Sequence, residues 1–173
     1  TSDLSIDVAG FFNDYSNSTS EREIAPATIQ ITDQRHTQIF GFEVYGQWNV
    51  LERLRFMPSY SHLQVRNRVP QDQEAESGED PKHQFTFRTQ IDLVRNVVLD
   101  AFFRYISKLP GLEVASYKTL DLRLAWKPAR NVELSVVGQN LLQSHHQEFA
   151  PELIHTMPVH IQRGVFGKVT VRF

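Results

Sequence analysis

The sequence predicts an all-β, antiparallel fold of about eight strands, and three observations predict it. Apolar and polar residues alternate with period two along most of the chain, the periodicity of a strand and not of a helix. The links between the alternating runs are short, then long, then short again. Several runs hold about ten residues, where strands average about 5–6 and a tilted strand needs ~9–11 to cross a bilayer.

Alternation by itself does not say which face meets solvent. It fits a transmembrane barrel with an apolar outside and also a soluble sandwich with an apolar inside. Strand length and link order favour the barrel, because outer-membrane barrels gather tight turns at one end and long loops at the other.

The first run, "LSIDVAGFFNDY", sets Leu4, Ile6, Val8 and Phe12 against Asp7 and Asn13. A long polar link, roughly residues 16–27, is expected next. Phe40, Phe42, Val44 and Trp48 then oppose Glu43 and Gln47; across the short "NVLER" turn, Leu54, Phe56 and Tyr60 oppose Arg55 and Ser59. After a link near residues 67–82, Phe85, Phe87, Ile91 and Leu93 oppose Arg88, Gln90 and Asp92. A "VRN" turn leads into Val97, Leu99, Ala101, Phe103 and Tyr105, set against Asp100 and Arg104. A third long link covers residues 108–116. Leu120, Leu122, Leu124 and Trp126 then oppose Thr119, Asp121 and Arg123. "KPARN" interrupts, since Pro128 cannot donate to a ladder, and Val132, Leu134 and Val136 resume against Glu133, Ser135 and Gln139. The link 141–162 precedes "FGKVTVRF", a strand that runs to the last residue.

Charges keep to one face, with Glu43, Arg88, Asp92, Asp100, Arg104, Asp121, Arg123 and Glu133 as the expected lining of a wet lumen. Trp48 and Trp126 fall on the apolar face at the tight-turn end and Tyr105 near the loop end, the positions of two aromatic girdles.

Composition removes other classes. The chain has 173 residues, 40% hydrophobic and 22% charged, as folded proteins do. A formal net charge of −2 with scattered Lys and Arg gives no footprint for nucleic acid. Without cysteine there is neither a disulfide framework nor a thiolate zinc site. No apolar run approaches the ~20 residues of a membrane-spanning helix. The opening residues lack the basic start and apolar centre of a signal peptide, so a mature protein or a piece of one is expected.

The segment "LDLRLAWKPARNVELSVVGQNLLQSHHQEF", the closing "GVFGKVTVRF", and the upstream "IFGFEVYGQWNV" and "LRFMPSYSHLQV" resemble the barrel of TonB-dependent outer-membrane receptors. Gly138-Gln139-Asn140-Leu141, Glu148-Phe149 and the last ten residues carry the resemblance most strongly. It implies about eight strands of a roughly 22-stranded barrel, in the outer membrane of a Gram-negative bacterium, with outer-membrane lipid around it. It also implies a plug domain, absent from this chain, through which the TonB–ExbB–ExbD complex drives uptake of a scarce small ligand such as a siderophore, cobalamin, metal chelate or sugar. Residues 1–173 are then the C-terminal portion of the barrel. In such receptors the terminal aromatic and the alternating apolar residues before it are read by the barrel assembly machinery; here Val165, Gly167, Val169, Val171 and Phe173 fit that signal.

Two alternatives come from other classes: a complete eight-stranded outer-membrane barrel, serving as an anchor or lipid-modifying enzyme, and a soluble carbohydrate-binding β-sandwich. Catalysis is not expected, nor is a cofactor. His145, His146 and Glu148 in "HHQEF" are of metal-binding type, but neighbouring side chains on an extended chain point apart and no third ligand is evident. Glu148 is better suited to fixing its loop near the barrel mouth. The acidic stretch with Asp72, Glu74, Glu76, Glu79 and Asp80 lacks the spacing of a Ca²⁺ loop and is expected to be a solvated loop.

Overall fold

A computed structural model describes residues 3–26, 28–68, 78–150, 157 and 159–173. Ten strands occur in chain order: β1 (Leu4–Ala25), β2 (Thr28–Leu51), β3 (Leu54–Arg68), β4 (His83–Val94), β5 (Val97–Ile106), β6 (Tyr117–Ala129), β7 (Val132–Gln139), β8 (His145–Gln147), β9 (His160–Gln162) and β10 (Gly164–Val171). Eight of them form one sheet in the order β1-β2-β3-β4-β5-β6-β7-β10, and β8 pairs with β9 separately. Every pairing in the large sheet is antiparallel between sequence neighbours, with β8 and β9 bypassed.

Register carries the alternation of each strand coherently across the sheet. One row runs Leu54, Ile91, Leu99, Leu124, Val136, Gly167. The neighbouring row on the same face runs Trp48, Phe56, Thr89, Ala101, Leu122, Gly138, Val165. Because the side-chain period is two, one wrong register would carry a strand's apolar set to the other face. From Leu4–Phe12 through Val165–Val171, the positions of this face hold no charged residue below the row of Tyr105, where Lys118 stands at the loop end of β6.

Nothing covers that face among the described residues. Ile6 is 62% exposed, Val8 71% and Val169 67%. The buried apolar side chains are Ile106, Leu109, Val114 and Tyr117 at the loop end, with Ala125. A sandwich stacks a second sheet about 10 Å away over its apolar face, so the soluble sandwich does not describe this chain. Nor is the eight-stranded sheet closed on itself: its order ends on β1 and β10, with no pairing between them among the described residues.

Two expectations are revised. The β1–β2 ladder continues through the stretch expected as a long link, with pairs such as Ser18↔Arg35 and Glu21↔Ile31. Polar side chains do not prevent pairing, since backbone donors and acceptors need partners whatever the side chain. Register shifts between Tyr15 and Ser18, where Asn17 adopts φ 62° as a bulge residue, mark where the sequence pattern is lost. The last long link contains the additional β8–β9 pair.

The tight turns follow their local chemistry. In the β4–β5 turn Asn96 takes φ 68°, a conformation that Asn tolerates better than other non-glycine residues, and its carbonyl accepts from Lys127 N–H at 2.8 Å. Gly41 is required for a different reason: a Cβ there would run into the His62 carbonyl and come within 2.9 Å of Phe11 Cζ. After β10, Arg172 N–H still donates to the Asn131 carbonyl at 2.9 Å, so the ladder continues almost to Phe173.

Candidate functional site

The charged face is the candidate site. Register places Glu43 beside Ala9 and Ser61, Arg88 beside Met57 and Phe102, and Asp92 beside Val98. Asp100 faces Arg123, Arg104 faces Thr119, and Asp121 faces Phe102, all with the same orientation. Glu133 faces Thr170 on that side as well. The eight residues picked from the alternation thus share a single face opposite the apolar band.

They form three groups. In the first, the Arg123 guanidinium donates through Nη1 to Asp100 Oδ2 at 2.6 Å and through Nη2 to Glu133 Oε1, while Lys127 Nζ lies 3.8 Å from Glu133 Oε2. One arginine therefore bridges β5, β6 and β7, with the planar fork that lets Arg serve two carboxylates. Below it, Arg88, Asp100, Phe102, Asp121 and Arg123 line a hollow of about 450 Å³. Arg88 Cζ lies 5.1 Å from the Phe102 ring, a cation held over an aromatic face.

The second group ties the last long loop to the wall. Arg104 Nη2 donates to Glu148 Oε1 at 2.8 Å, and His146 Nε2 lies 2.9 Å from the same oxygen. His146 is buried, its ring stacked on Tyr117 at 4.4 Å, and Arg104 Cζ sits 5.7 Å over that Tyr117 ring. Asn140 is buried too, in the left-handed region at φ 52°. Its N–H donates to Asp121 Oδ1 at 2.8 Å, and its Nδ2 donates to the Ile161 carbonyl at 3.2 Å. Glu148 and Asn140 fold the loop inward, over the charged face.

In the third group the residues stay apart. Glu43 lines a hollow with Asp7, Ala9, Ser59 and Ser61, and Asp92 lines another with Asn49, Arg53 and Arg55.

Sequence reasoning noted Glu148 as a loop anchor without naming its partner. It passed over Tyr117 and Asn140 as site residues, although Asn140 stands in the segment that carries the family resemblance. His145 turns from His146 toward His160, with ring centroids 5.3 Å apart. Among the described residues no group of three or more His, Cys, Asp or Glu is placed to hold a metal ion. Of the acidic stretch, Asp72, Glu74 and Glu76 lie outside the described residues, while Glu79 and Asp80 are exposed.

On the apolar face, Trp48 pairs with Phe56, and Trp126 lies opposite Val97 at the turn end. Tyr105 lies opposite Phe85 at the loop end. Val165, Gly167, Val169 and Val171 follow one another on this face along the β10 edge, and Phe173 beyond them is fully exposed.

Comparison with known proteins agrees with this architecture. The family model described as TonB dependent receptor-like, beta-barrel, matches residues 1–141. Among solved structures, the ferric-catecholate import receptor Fiu from E. coli K12 is 17% identical with a TM-score of 0.76, covering 99% of this chain and 25% of its own. The copper transporter OprC is 17% identical with a TM-score of 0.78, covering 100% of this chain and 30% of its own. The pyoverdine outer membrane receptor FpvA from Pseudomonas aeruginosa is 14% identical with a TM-score of 0.74, covering 98% of this chain and 27% of its own. No curated protein matches. The chain thus spans about a quarter of the length of the structures it resembles. With its uncovered apolar band, single charged face and open eight-stranded sheet, this chain belongs to the β-barrel family of TonB-dependent receptors, proteins of the Gram-negative outer membrane.

Proposed function

We propose that this chain is the C-terminal portion of a receptor barrel that takes up a scarce ligand across the outer membrane. Energy comes from the TonB–ExbB–ExbD complex acting on a plug outside these residues. The role of these residues is transport and not catalysis: outward side chains meet lipid, Glu43, Arg88, Asp92, Asp100, Arg104, Asp121, Arg123 and Glu133 line a wet lumen, and the loops help to capture ligand. A siderophore, cobalamin or a similar chelate fits this role.

The observation that carries the proposal is the confinement of charge. From the tryptophans up to the row of Tyr105, every charged position except Lys118 at the loop-end border lies on one face, while a charge on the lipid face would cost ~2–4 kcal/mol at the midplane. Strand geometry supports the girdle assignment. Trp48 shares a register row with Leu122, four residues from Trp126 along β6. With strands about 4.8 Å apart and a rise of about 3.4 Å per residue, both rings come to one height at a tilt of about 35°, inside the ~35–45° of membrane barrels. At that tilt Tyr105, eight residues along β5 from Val97, stands about 22 Å above Val97 and about 19 Å above the Trp126 level, within the ~25 Å height of an apolar band.

The test is uptake of radiolabelled ferric siderophores and cobalamin by cells with and without the gene and with and without TonB. Uptake that needs both is expected. Uptake indifferent to TonB overturns the proposed energy source. A receptor recovered in the soluble fraction overturns the barrel.

A further inference from the structure

We propose that the outward face carries a docking belt for the phosphate group of anionic lipids, built from His83, Lys118 and Arg66, with the His62 ring packed against His83, at the loop-end border of the apolar band. It rests on the barrel reading above and assigns that barrel a lipid partner of defined chemistry.

The outward rows are uncharged up to Tyr60, Phe85 and Tyr105, and Lys118 stands opposite Tyr105 at the end of that row. One row further out, His62 pairs with His83. Their rings lie 4.8 Å apart. Each ring uses Nδ1 within the protein: His62 Nδ1 donates to the Lys82 carbonyl at 3.0 Å, and His83 Nδ1 lies 2.7 Å from Tyr60 Oη. The Nε2 atom of each ring has no partner among the described residues: with Tyr60 Oη donating to its Nδ1, neutral His83 offers an Nε2–H donor, whereas neutral His62, its proton on Nδ1, packs against that ring without offering one. Arg66, further along β3, returns toward the band, its Cζ 4.9 Å from the Phe40 ring.

With the stagger that levels the two tryptophans, His62, His83 and Lys118 stand within about one residue, ~3 Å, of the height of Tyr105. Phe40, beneath the Arg66 guanidinium, reaches the same height to within that margin. Hydrogen-bond donors and cations therefore share one level with aromatic rings, directly above an uncharged band. The acidic group on this face nearest the belt, Asp14, is occupied by His36 at 3.0 Å and by Gln38 at 3.2 Å. At that height the neighbour is a lipid headgroup, and the donor set fits a phosphate, for which Arg and Lys near an anionic surface each contribute roughly a fivefold gain in affinity.

The experiment uses the full-length receptor in detergent micelles, with native mass spectrometry counting bound dioleoyl phosphatidic acid against dioleoyl phosphatidylcholine. Preferential retention of phosphatidic acid is expected, falling roughly 25-fold in the double variant Arg66→Ala and Lys118→Ala. The Arg130→Ala variant, which removes a cation at the opposite end, is expected to leave the preference intact. Equal retention of the two lipids, an equal loss in Arg130→Ala, or displacement of the lipid by millimolar inorganic phosphate overturns the belt. Reconstitution into vesicles separates the two claims: a receptor that inserts but shows no preference sinks the belt alone, whereas one that does not insert sinks the barrel reading.

Discussion

Placing an arginine at Leu122 probes the bilayer-facing assignment directly. Leu122 lies on β6 midway between Lys118 and Trp126, four residues from each, with Ala101 and Gly138 as its register neighbours. At a tilt near 35° each border is about 11 Å away, close to half of a ~25 Å apolar band. An arginine there sits near the midplane, and neither Ala101 nor Gly138 offers a ring or carboxylate to shield it. The expected cost is ~2–4 kcal/mol, which is about 30-fold to nearly 1,000-fold in the folding equilibrium. Trp126→Arg, at the border, costs only ~0–1 kcal/mol for the charge, beyond what removal of the indole costs. The assay is urea-dependent folding of the full-length receptor into vesicles, read as the heat-modifiable band on gels. If Leu122→Arg folds as readily as Trp126→Arg, the apolar face does not meet lipid and the account of this chain fails.

Further tests address the inner wall and the backbone. Arg123→Ala, alone and combined with Glu133→Gln, is expected to reveal a coupling of about 1 kcal/mol, modest because the Arg123 side chain is 34% exposed; a coupling near zero refutes the bridge across β6 and β7. Arg104→Ala removes one of the two partners of Glu148 and should raise hydrogen exchange in residues 145–149 while leaving β5 protected. Unchanged exchange there would mean that the Arg104–Glu148 pair does not hold the loop. Gly41→Val forces a side chain against the His62 carbonyl and Phe11, with an expected loss of about 1–3 kcal/mol, measured in the same vesicle assay. Deleting Phe173 is expected to lower the fraction of receptor that reaches the outer membrane, counted by surface labelling, without changing the stability of receptor already folded. Equal surface counts would remove Phe173 from the insertion signal.

Much of the fold could be read without coordinates because a two-residue period maps sequence directly onto faces. Leu120, Leu122 and Leu124 against Asp121 and Arg123 is a local pattern, and so is the Asn96 turn. The charged candidates were found for that reason. Their partners were not, because Arg123 meets Asp100 and Glu133 only once three strands are in register, and Arg104 reaches Glu148 across 44 residues of chain. The continuation of β1 and β2 through the expected link 16–27 escaped notice because, beyond the apolar band, neither face needs to be greasy and alternation ceases while pairing goes on.

By itself the sequence determined the eight strands of the large sheet within the apolar band, their alternating faces, the end at which each turn lies and the family, since all of these follow from side-chain periodicity and local motifs. Only the tertiary structure decided the rest: that the apolar face goes uncovered among the described residues, that the sheet stays open between β1 and β10, that register sets Trp48 in the row of Leu122, and that Glu148 folds back to Arg104. The physical reason is that hydrogen-bond register between strands is a long-range property, fixed when separate ladders align, and no single strand contains it.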